Sequence, residues 1–139
     1  MITLLDYGAG NVRSVINAIE SLGQTVKVVS GIDDLLSAEK LVFPGVGNFG
    51  SMMQILNGNN YVDALKDYLL SERPFLGICL GLHALFEKSE EAPDTKGLGF
   101  ISGHVKKFDI NLSVPHIAVS YTHLRAHETS LHLVCRLLL

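Results

Sequence analysis

Apolar residues along the chain alternate between two kinds of run. Ile2 to Leu5 is a short unbroken apolar stretch that ends at Asp6 and meets Gly8 and Gly10, the pattern of a buried strand entering a loop. Asn11 then stands where a helix cap belongs. Val12, Val15, Ile16, Ile19 and Leu22 recur at helical spacing until Gly23. Thr25 to Val29 is short and β-branched, a second strand; Leu41 to Phe43 is a third, closed by Pro44-Gly45-Val46-Gly47.

Phe49 to Leu56 and Tyr61 to Leu70 read as helices, separated by Asn57-Gly58-Asn59-Asn60. Phe75 to Ile78 follows Pro74 as a fourth buried strand. The pattern predicts a helix over Leu80 to Lys88 and a polar loop over Glu90 to Lys96. It places further strands at Phe100-Ile101 and at Val105 to Phe108, around Gly103. Strands that are apolar throughout and alternate with helices predict an α/β fold: an open, mostly parallel sheet with helices on both faces.

Composition narrows the classes. At 139 residues the chain fits one domain, and 47% hydrophobic against 18% charged residues supports a packed core. The net charge of −3 and the absence of a Lys/Arg run argue against nucleic acid as a partner. No segment reaches the roughly 18 to 20 apolar residues that a bilayer requires. The N-terminus lacks the basic start of a signal peptide. Two cysteines, Cys79 and Cys135, provide neither a disulfide framework nor a CxxC metal site, and a reducing, cytosolic setting is expected.

The strongest chemical signal is Gly77-Ile78-Cys79-Leu80-Gly81. It has the form of a nucleophile elbow, in which a strand turns sharply into a helix with the nucleophile at the bend. Small residues on either side let the backbones pass closely. The N-terminus of the following helix would favour the thiolate, and the Leu80 N–H would face an oxyanion. Gly45-Val46-Gly47 offers a second set of N–H groups for that anion. The plain alternative is a buried structural cysteine between packing glycines and an ordinary turn after strand three.

His83, four residues after Cys79, shares its helix face. It is open to three readings: base, pocket lining, or no role. Gly8-Ala9-Gly10 lacks the third glycine of a dinucleotide loop and reads as a tight turn. His123 and His127 with Glu128 do not follow the H-E-x-x-H order, so neither a metal nor a cofactor is expected.

Over residues 1–117 the sequence resembles the glutaminase subunit or domain of imidazole glycerol phosphate synthase, a class I glutamine amidotransferase. The resemblance rests on Asp6-Tyr7-Gly8-Ala9-Gly10-Asn11, Phe43-Pro44-Gly45-Val46-Gly47, Pro74 to Gly81, and Lys96-Gly97-Leu98-Gly99. It implies a flavodoxin-like sheet. Cys79 would attack the side-chain amide of glutamine, and ammonia would pass to a (β/α)8 cyclase, separate or fused, in histidine biosynthesis. Leu80 and the Gly45-Val46-Gly47 turn would form the oxyanion hole, His83 would contact substrate, and Asn11 would lie in a loop facing the cyclase.

The sequence departs from the family in two places. His83 stands where the family usually has Gln. After Val114-Pro115-His116-Ile117 the family's Gly-Trp-Asn string is replaced by Ala118-Val119-Ser120, and the chain has no Trp. The family's catalytic His and Glu lie further downstream and have no counterpart here. All thirteen glycines lie at or before Gly103, and the string from Val119 to Thr129 resembles sequence read from an adapter. The expectation is an amidotransferase portion over 1–117, an anomalous tail over 118–139, and a chain that is inactive as it stands. Rival readings are the glutaminase of another class I amidotransferase and a flavodoxin-like binding module in which Cys79 is structural.

Overall fold

A computed structural model describes residues 1–8 and 11–107. The boundary expected at 117, the tail, Cys135 and Phe108 lie outside the described residues. The elements are, in chain order, β1 (Ile2–Leu4), α1 (Val12–Ser21), β2 (Val26–Val28), α2 (Ile32–Leu36), β3 (Leu41–Gly45), α3 (Phe49–Gly58), α4 (Tyr61–Leu70), β4 (Phe75–Cys79), α5 (Leu80–His83), β5 (Phe86–Ser89) and β6 (Ile101–Val105).

The first four strands form one parallel sheet in the order β2-β1-β3-β4. Every residue of β3 is buried, as a strand paired on both sides and covered on both faces must be. Leu4 and Val42 point to the face covered by α1, whose Ile19 packs on them with Val12, Val15 and Ile16 at the margin. Thr3, Leu41 and Phe43 point the other way and are also buried, so that face is covered too. The expected α/β class holds.

Local chemistry sets the helix ends. The Asn11 side chain accepts the Ser14 N–H at 3.3 Å and caps α1, while Gly23, at φ +74, takes the left-handed conformation that stops it. Asn48 caps α3 by accepting the Ser51 N–H at 3.0 Å. The two predicted helices α3 and α4 bury Phe49, Met52, Met53 and Leu56, and Tyr61, Leu65 and Tyr68. The sequence pattern missed α2, a five-residue helix with two aspartates in its first turn, because it is too short for periodicity to register.

Two expectations are corrected. The helix expected over Leu80 to Lys88 stops after one turn, and Phe86–Ser89 is a strand. Distant backbone captures this segment. Leu98 N–H donates to the Ala84 carbonyl at 2.7 Å, Gly97 N–H to Glu87 at 2.9 Å, and Ile101 N–H to Leu85 at 2.8 Å. Gly97 is required for this approach, since a Cβ there would lie 2.0 Å from the Phe86 carbonyl oxygen. The two expected strands around Gly103 are instead one strand, β6, which passes through Gly103 at φ +124 and pairs in parallel with β5. Glycine lets the strand continue where a side chain would have broken it.

Candidate functional site

Sheet order reverses between β1 and β3, so the crevice for a ligand opens beyond their carboxyl ends and that of the neighbouring β4. Cys79 is the last residue of β4, in register with Gly45 at the end of β3. Its backbone sits at φ 54 and ψ −114, a strained conformation for a residue with a side chain, and the thiol is exposed. A cysteine kept only for packing would be buried and relaxed.

The flanking glycines have distinct geometric reasons. A Cβ on Gly81 would lie 1.9 Å from the Phe43 carbonyl oxygen, and one on Gly77 would lie 2.9 Å from both the nitrogen and the Cα of Leu82. The elbow therefore folds back directly onto β3. A Cβ on Gly45 would meet Gly81 N, Leu80 Cβ and Tyr7 Oη, each at 3.0 Å. Because α5 is only one turn, the expected support of the thiolate by a long helix is absent. A macrodipole needs several aligned turns, and four residues provide only their own first N–H groups.

Beyond Gly45 the turn leaves the sheet. Val46 is 51% exposed and Gly47 adopts φ +105. Among the described residues, the N–H groups of Val46 and Gly47 donate to no protein acceptor. They are two of the four positions, Leu80, Gly45, Val46 and Gly47, that the sequence proposes for an anion. The Val46 carbonyl accepts the Tyr7 hydroxyl at 3.2 Å. Tyr7 is buried, packs edge-to-face on Phe43 with 5.9 Å between ring centres, and has its pKa raised by burial. The Val46 carbonyl bond opposes that rise, and the neighbouring Cys79 and Asp6 add to it.

His83 is half-buried in the wall of a cleft of about 440 Å³ that it shares with Ser89, Glu90, Glu91 and Val105. Burial lowers its pKa and the Glu91 charge works against that shift, so the ring is neutral at neutral pH. Cys79 is not among the residues that line this cleft. The sequence marks Glu91 only as part of a polar loop. Its carboxylate accepts Asn48 Nδ2 at 3.0 Å and the Phe49 N–H at 3.3 Å, holding the start of α3 beside the glycine turn. No local spacing connects residues 43 positions apart, so the sequence carries no signal for it. Asn11 is exposed at its capping position. Among the described residues no three His, Cys, Asp or Glu side chains are grouped to hold a metal ion.

The fold and site together define an open parallel α/β domain built around an exposed, strained cysteine at a strand end. The chain belongs to the class-I glutamine amidotransferase family, whose model matches residues 3–129. It is 52% identical over 119 residues to the chloroplastic imidazole glycerol phosphate synthase hisHF of Arabidopsis thaliana, covering 84% of this chain and 20% of that one. It is 45% identical over 120 residues to imidazole glycerol phosphate synthase subunit HisH 1 of Methanococcus maripaludis, covering 84% and 59%. The chain thus spans less than two thirds of either relative. A crystal structure of a glutamine amidotransferase superposes with a TM-score of 0.68 at 20% identity, over 81% of this chain and 59% of that one, a likeness of fold.

Proposed function

We propose that this chain is the nucleophile-bearing portion of the glutaminase of an imidazole glycerol phosphate synthase. The observation that carries the reading is the exposed Cys79 at φ 54, in register with Gly45 and beside a turn with free N–H groups. The names of the two relatives support this synthase over another class I amidotransferase. The exposure and strain of Cys79 argue against a binding module with a structural cysteine.

In the reaction, the Cys79 thiolate attacks the side-chain amide carbon of glutamine. Charge collects on the former carbonyl oxygen, which the N–H groups of Leu80 and the Gly45-Val46-Gly47 turn would receive. The C–N bond then breaks, the nitrogen leaves with a proton as ammonia, and a γ-glutamyl thioester remains. Water cleaves the thioester to glutamate and returns the thiol. His83 and Glu91 line the cleft in which the amino-acid end of glutamine would lie, with the Glu91 carboxylate suited to an ammonium group. Ammonia would pass to a (β/α)8 cyclase, separate or fused, which the Asn11 loop would face. The compartment we propose is cytosolic, on cysteine usage alone.

These 139 residues carry Cys79 without the histidine and glutamate that the family resemblance places further downstream. We therefore expect acylation without efficient turnover. The test is treatment with a chloroketone analogue of glutamine, followed by peptide mass spectrometry. Selective modification of Cys79, blocked by glutamine, is the expected result. Equal labelling of Cys79 and Cys135, or of neither, would refute the assignment.

A further inference from the structure

The switch-point crevice is bridged by one side chain that the proposed reaction does not use. Tyr7 follows β1, and its hydroxyl donates across to the Val46 carbonyl in the turn after β3. From these contacts, and resting on the glutaminase reading, we infer that Tyr7 is a positioning residue that fixes the Gly45-Val46-Gly47 turn for oxyanion binding.

The turn has little else to hold it. Val46 projects into solvent, Gly47 has nothing within 4 Å of where a Cβ would stand, and neither residue donates a backbone hydrogen bond among the described residues. In a trans peptide the N–H points opposite to the carbonyl of the same plane. Anchoring the Val46 carbonyl to Tyr7 therefore sets the direction of the Gly47 N–H and limits the rotation of Val46. Tyr7 is itself held by burial and by its edge-to-face contact with Phe43. The absence of a side chain on Gly45 leaves the space its hydroxyl occupies, 3.0 Å from the missing Cβ. A buried phenol thus holds one peptide of a turn made of small residues.

The experiment compares the 139-residue chain with its Tyr7→Phe variant, which keeps the ring and its packing and loses the hydroxyl. Two reagents are used. Against the chloroketone analogue of glutamine, the thiolate displaces chloride, a C–S bond forms as the C–Cl bond breaks, and the neighbouring carbonyl draws on the oxyanion site. Iodoacetamide alkylates by simple displacement of iodide and makes no use of that site.

The expected result is a saturating chloroketone rate at Cys79 about three- to tenfold lower in Tyr7→Phe, the range of one ordinary hydrogen bond. The half-saturating concentration, the iodoacetamide rate and the thermal melting profile should stay close to those of the parent chain. An equal or faster chloroketone rate would overturn the inference. So would a change confined to half-saturation, or equal slowing with both reagents, since these indicate substrate binding or general access to the thiol. A parent chain that is not selectively labelled at Cys79 would sink the glutaminase reading, and this inference with it. Selective labelling with no effect of Tyr7→Phe would sink this inference alone.

Discussion

At the scale of single residues, the site is governed by where side chains are forbidden as much as by where they stand. Gly81 is the sharpest case, because its missing Cβ would otherwise overlap the Phe43 carbonyl oxygen at 1.9 Å. The obstacle is backbone in the central strand, which cannot move aside without disturbing the sheet. Gly81→Ala is therefore expected to destabilise the fold by about 3 kcal/mol or more and to remove selective labelling of Cys79. Denaturant titration together with the chloroketone assay checks both parts. His83 gives a pH signature. Its folded pKa lies below the unfolded value of about 6.5, so the unfolded chain takes up a proton first as pH falls. The stability contributed by the neutral ring is complete above about pH 6.5 and declines below it, until the folded state is protonated as well. His83→Gln should flatten that decline, and denaturation midpoints at pH 7.5 and 5.0 would measure the difference. An unchanged slope would count against a desolvated His83.

At the scale of elements, one side chain joins three pieces of secondary structure. Arg73, just before β4, donates to the carbonyls of Leu36, the last residue of α2, and Ala38, both at 2.7 Å, and lies 4.3 Å above the Tyr68 ring of α4. Tyr68 in turn donates to the Pro74 carbonyl at 2.7 Å. The last turns of α2 and α4 are thus tied to the start of the strand that carries Cys79. Arg73→Ala should cost about 1 to 3 kcal/mol through lost charge-assisted bonds and stacking, and Arg73→Lys should recover only part, since an ammonium cannot reproduce the planar fork. Chemical denaturation of the three chains would show the order. The elements themselves were legible where a pattern was long or capped: α1 follows from periodicity, Asn11 and Gly23, and α3 and α4 from their apolar runs. The segment after His83 was not legible, because Leu82, Leu85 and Phe86 fit a helical stripe equally well. Its strand conformation comes from Gly97, Leu98 and Ile101, which bond to it across a long loop.

At the scale of the whole molecule, the described residues cover the sheet unevenly. Leu76 and Ile78 of β4 are in register with Val42 and Pro44, on the face that α1 covers over β1 and β3, yet they are 55% and 37% exposed. A helix about 10 Å wide spans roughly two strands set about 4.8 Å apart, so α1 does not reach β4. Among the described residues β4 also has no partner on its outer edge. Exposed apolar residues on an open edge favour association. The 139-residue chain is expected to self-associate with rising concentration. Leu76→Lys should reduce this while changing stability by no more than about 0.5 kcal/mol, as read by sedimentation and by thermal melting.

The sequence by itself determined the α/β class, the cap and stop of α1, and Cys79 as the residue to watch. These depend on short-range patterns: apolar runs, cap residues, and glycines two positions either side of the nucleophile. The tertiary structure alone decided that the helix after the elbow is a single turn, that Glu91 reaches the start of α3, and that Tyr7 grips the glycine turn. Those facts arise from contacts between residues 10 to 43 positions apart, whose energies depend on how strands stack and which no local pattern records. Cys79 was legible because its environment is built from its neighbours in sequence. Its supporting residues were not, because they come together only when the sheet forms.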